Sequence, residues 1–147
     1  MRITTRREAS RAAIEACGAE CFIGDPDRLA TLTGALENVT VLCWLLASAA
    51  GAPAQLRALH TARLESFLGR AIDTTVRGFV HEAAGGEASA RIVADGERIA
   101  RTIAERNAVP VAFLPPPADF DAWLVLAKRA VEWVLEGRPP RSPEEAT

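Results

Sequence analysis

The chain has 147 residues, enough for one domain with a sizeable core, and its 17 basic residues stand against 19 acidic ones, a net charge of −2. That balance disfavours a dominant electrostatic draw toward nucleic acid. Cys17, Cys21 and Cys43 make no disulfide framework. No apolar segment follows the basic start as it would in a secretory signal. The apolar run after Glu37, interrupted by Thr40, Ser48, Gly51 and Pro53, falls short of the ~20 residues that a membrane span needs. The expectation is a cytoplasmic protein with no membrane contact.

Abundant alanine, the absence of Tyr and the lack of alternating β-branched runs favour helix throughout. A first helix is expected from about Thr5 to Cys17, stopped by Gly18, with Cys21, Phe22 and Ile23 as a short apolar plug. Arg2, Arg6, Arg7 and Arg11 precede an acidic segment that holds Glu15, Glu20, Asp25, Asp27 and Glu37, which suggests pairing within the molecule. Asp25 and Pro26 then open a central helix. Its stripe of Leu29, Leu32, Leu36, Val39, Cys43, Leu46 and Ala50 steps by three and four, the spacing of one helical face.

Gly51-Ala52-Pro53 reads as a tight turn into an antiparallel third helix that carries Leu56, Leu59, Leu64, Phe67, Leu68, Ile72, Val76 and Phe79 as far as about Ala84. Gly85-Gly86 breaks the chain, and Ser89 caps a fourth helix that ends near Asn107. The prolines of residues 109–117 enforce an extended connector. Asp119 then caps a fifth helix, followed by Gly137 and an unstructured tail at 138–147. The expected fold is all-α: a single-domain bundle (1–137) of four to five helices built on a long antiparallel hairpin at about 26–84.

His60, Arg63, Arg70, Asp73, Arg77 and His81 form a polar stripe on that third helix. Guanidinium groups can hold a carboxylate or phosphate at two points, which makes the stripe a candidate anion site; an ordinary solvated face is the alternative. Along a straight helix His60 and His81 would stand ~31 Å apart, too far to share a metal. No ligand pair, nucleotide loop or nucleophile elbow is present, so no metal, cofactor or catalytic residue is expected. Trp44 and Trp133 lie off the main apolar faces and are candidate contacts for a partner or a second copy of the chain. The function these features suggest is a non-enzymatic helical interaction module, a homodimeric regulator, adaptor or accessory subunit. The alternatives are a subunit that touches nucleic acid through the arginine stripe and a sensor or enzyme that binds an anionic metabolite.

Overall fold

A computed structural model describes residues 1–83, 88–115 and 119–137. It corrects the all-α expectation: the chain is an α/β protein, with five short strands in two parallel sheets among the described residues. β1 (Arg2–Thr5) is followed by a 3-10 turn at Glu8–Ser10, α1 (Arg11–Ala16) and β2 (Glu20–Ile23). A 3-10 segment at Leu29–Leu36 leads to β3 (Val41–Trp44). Next come α2 (Pro53–Ala58), a π-helical turn at Leu59–Arg63 and α3 (Leu64–Ile72), then β4 (Gly78–Glu82), α4 (Ala90–Arg106), β5 (Val111–Leu114) and α5 (Phe120–Leu135). β1 pairs with β2, and β3, β4 and β5 pair in that order.

The hairpin expected over 26–84 is replaced by strand–helix–strand. Asn38 adopts a left-handed φ of 57° just beyond the 3-10 segment, and the chain leaves helical geometry there. Val41-Leu42-Cys43-Trp44 is a short apolar run bounded by turn residues. A strand of a parallel sheet covered on both faces and a buried helix have the same apolar signature over such a length. The far end of the expected third helix is β4, reached through the Thr74–Arg77 turn, where Arg77 donates its backbone N–H to the Thr40 carbonyl. The proline-bounded connector holds β5, whose four residues are all buried.

Side chains alternate across the three-stranded sheet, as a pleated strand requires. Leu42, Trp44, Phe79, Val111 and Phe113 belong to the core that also takes in Leu59, Leu64, Phe67, Leu68 and Ala100 from the helical side. Val80, Ala112 and Leu114 face the other way and pack with Ala130 and Val134 of α5; Val41, Trp123 and Trp133 border that cluster. The result is helix on both faces of a parallel sheet. Gly78 is required by this packing, because a Cβ there would lie 2.1 Å from Val134 Cγ1.

α4 and α5 begin at the caps the sequence indicates. Ser89 accepts from the Ile92 N–H and Asp119 from the Asp121 N–H. The Gly85-Gly86 break, two of the connector prolines (Pro116 and Pro117) and the tail at 138–147 lie outside the described residues. Among the described residues, no helix is long and apolar enough to cross a membrane.

Candidate functional site

In a parallel sheet with helices on both faces, the crevice outside the carboxyl ends of the strands is where ligands are held. Two groups of polar residues lie at that edge of the three-stranded sheet, and a third lies at the carboxyl ends of β1 and β2. The first is a row across the sheet: Trp44 lies in register with His81, and His81 with Phe113. His81 is only 2% exposed, meets the Phe113 ring edge-on at 5.9 Å, and has neither ring nitrogen hydrogen-bonded. The Trp44 indole N–H and His60 Nε2 are likewise buried without a partner. Burial holds His81 down at about 4, and the nearby His60 adds to the depression; burial also lowers His60. Three buried polar side chains with unused hydrogen-bonding capacity at one end of a sheet form an unusual cluster.

The second group ties the loop after β3 to the end of β4. Glu82 is buried on the opposite face from His81, and its Oε2 accepts the Ala47 N–H at 3.1 Å. Burial raises the Glu82 carboxyl, and the Ala47 N–H partly offsets that rise. The third group follows β1 and β2. Arg6 and Arg7 leave the end of β1 with exposed side chains, while the Gly24 N–H bonds the Thr5 carbonyl and keeps the two strand ends together. A Cβ on Gly24 would meet Leu32 Cδ2 at 2.5 Å and the Thr31 carbonyl oxygen at 3.0 Å, so the 3-10 segment packs closely on this end. Asp27 lies between the basic groups, 2.7 Å from Arg63 and 3.9 Å from Arg6.

The expected single polar stripe is distributed over several elements. His60 and Arg63 sit in the π-helical turn, Arg70 is exposed on α3, and Asp73 is exposed at the end of α3. Arg77 caps the turn before β4 by donating to the Thr74 and Val76 carbonyls. His81 lies in β4. The ~31 Å separation expected of the two histidines does not hold, because the chain folds back through α3 and β4 and brings them within electrostatic reach of one another. Among the described residues, no group of three or more His, Cys, Asp or Glu could hold a metal. Trp44 is a core residue that packs on Phe67 at 5.6 Å, and Trp133 is half-buried beside α5's own cluster. In the sequence, Arg6 and Arg7 read only as part of a basic start paired within the molecule, and Glu82 had no role. For Glu82 the one signal was its place just after His81 and the apolar pair Phe79-Val80.

No protein-family model matches the sequence, and no curated protein does. Solved structures do resemble it. Gox2253 superposes with a TM-score of 0.61 at 17% identity, over 76% of this chain and 42% of its own. The triphenylmethane reductase of Citrobacter sp. gives 0.62 at 18% identity, over 88% of this chain and 44% of its own. The same reductase complexed with NADP(H) gives 0.58 at 20% identity, over the same shares of the two chains. The chain thus spans less than half the length of the solved structures it resembles. The shared fold overturns the expectation of an all-helical interaction module: the chain has the α/β fold of these solved structures.

The residues present fit only part of a nicotinamide dinucleotide. In doubly wound folds of this kind the pyrophosphate rests on a glycine-rich turn between the first strand and its helix, G-x-G-x-x-G, and an arginine nearby accommodates a 2′-phosphate. Residues 1–147 contain no G-x-G-x-x-G, and the turn after β1 (Arg6-Arg7-Glu8) has no glycine. The turn after β1 therefore offers the pyrophosphate no such cradle. The 2′-phosphate does have candidate partners, Arg6 and Arg7.

Proposed function

We propose that this chain forms the greater part of a reductase-type dinucleotide-binding unit, in which Arg6 and Arg7 recognise the 2′-phosphoadenosine end of NADP(H). The observation that carries this reading is the pair of parallel sheets with a basic pair at the carboxyl end of β1. In the doubly wound order 3-2-1-4-5-6, the sequence β2-β1 followed by β3-β4-β5 reproduces 3-2 and 4-5-6. β1 is then the second strand, whose end lies where an arginine accommodates the 2′-phosphate. Guanidinium groups suit that dianion by charge and by their paired donors. The solved reductase complex with NADP(H) supports the same reading by its fold.

Calorimetric titration with 2′,5′-ADP and with 5′-ADP tests it. The reading expects the 2′-phosphorylated nucleotide to bind about tenfold more tightly or better, a difference of about 1.4 kcal/mol, and expects Arg6→Glu with Arg7→Glu to abolish the preference. Equal affinities, or no binding of either nucleotide, contradict it.

A further inference from the structure

The α5 face of the three-stranded sheet carries two features that the nucleotide reading does not use. The first is a buried carboxylate without a cation. Glu82 is 8% exposed, and among the described residues its carboxyl takes one hydrogen bond, from the Ala47 N–H, and no ion pair. A glutamate is seldom buried unless a positive charge answers it. The second is an aromatic pair left at the surface. Phe120 and Trp123 stack with ring centroids 6.3 Å apart and planes at 24°. Phe120 is nonetheless 68% exposed, and the buried Trp123 indole N–H has no partner.

Both features belong to one end of the sheet. Glu82 lies in register with Leu114, and Trp123 packs on the cluster that holds Leu114. α5 runs back along the sheet, so that Val134 lies against Gly78 at the start of β4. From Val134 back to Trp123 the helix covers ~16 Å, and from Gly78 to Glu82 the strand covers ~13 Å. The aromatic pair therefore stands level with Glu82 or just beyond it, at the carboxyl edge.

The charges around the pair have one sign. Asp119 and Asp121 flank Phe120, and the first basic residue of α5 is Lys128, more than a helical turn past Trp123. Arg101 lies over the Phe113 ring, on the opposite face of the sheet.

We propose that Glu82, Phe120 and Trp123 form a binding site for a flat organic cation, an aromatic ring system that carries a positive nitrogen. The face of an aromatic ring attracts a cation, and tryptophan does so most strongly. Stacking on the exposed Phe120 ring supplies contact area for any flat ring. The Glu82 carboxylate, largely removed from water, adds an attraction that a neutral ring of the same shape cannot have. None of these residues is assigned to the nucleotide, so the inference stands apart from the dinucleotide reading.

Calorimetric titration at neutral pH with N-methylquinolinium tests the site against two flat rings of similar size, neutral quinoline and anionic 2-naphthoate. The cation should bind about tenfold more tightly than either. Glu82→Gln keeps an acceptor for the Ala47 N–H and should remove most of that preference. Phe120→Ala, a surface change, should weaken the cation about fivefold and leave the unfolding midpoint where it was. Arg6→Ala with Arg7→Ala should leave the cation's affinity unchanged, so the nucleotide reading and this one fail separately. Equal binding of cation and quinoline, no binding of the cation, an intact preference in Glu82→Gln, or displacement of the cation by 2′,5′-ADP overturns the site.

Discussion

At the scale of single residues, the buried row of Trp44, His81 and Phe113 sets the clearest expectation. His81 stays neutral in the folded protein down to about 4, whereas an unfolded histidine takes up its proton near 6.5. The unfolded state therefore binds more protons between these values. The contribution of His81 is fully present above pH ~6.5 and lost as pH falls toward ~4, about 3 kcal/mol in all. Urea midpoints at pH 7 and pH 4.5 check this, and His81→Leu should lose much of the difference. Glu82, raised by burial, acts with the opposite sign, so the comparison with His81→Leu isolates the imidazole. A pH dependence identical in the two proteins contradicts the account. Glu82 has a structural consequence as well. Glu82→Ala leaves the buried Ala47 N–H without its acceptor and should cost about 1–3 kcal/mol, while Glu82→Gln keeps an acceptor and should cost less. Denaturant unfolding of the two variants distinguishes these outcomes.

At the scale of elements, helices with good caps were legible in the sequence and short strands were not. Ser89 and Asp119 announce α4 and α5 because a side-chain oxygen before an amphipathic run has one common use. β3 and β4 were absorbed into helical stripes. Over four or five residues, an apolar strand buried on both faces offers no alternation to count, and leucines at three- and four-residue spacing occur in it by composition alone. The overlooked markers were local: Asn38, the Thr74-Thr75 pair and Gly78 all interrupt the expected helices at strand boundaries. Of the site, both histidines were visible as residues, but their proximity depends on the return of the chain through β4. Gly78 gives this level its test. Gly78→Ala should destabilise by about 1–3 kcal/mol, because β4 must move away from α5. Adding Val134→Ala should recover part of that loss, since the two side chains compete for one space. Additive losses in the double variant would show that α5 does not pack there. Gly96 does the same work on the other face, where a Cβ would lie 2.6 Å from the His60 carbonyl oxygen and would lift α4 from the π-helical turn.

At the scale of the whole molecule, two parallel sheets, helices on both faces and a polar carboxyl edge make a consistent unit with divided duties. The basic pair lies after β1, and the buried histidine row and the Glu82–Ala47 tie lie at the ends of β3 and β4. This division predicts where a nucleotide is felt. The most direct test is to follow backbone amide resonances during titration with 2′,5′-ADP. The account predicts shifts concentrated at Arg6 and Arg7 and at Gly24 and Asp25 beyond β2, with the amino ends of the strands (Asn38, Thr74 and Thr75) unaffected. Shifts centred on those amino ends, or none at saturating nucleotide, would contradict the proposal that this chain binds a dinucleotide.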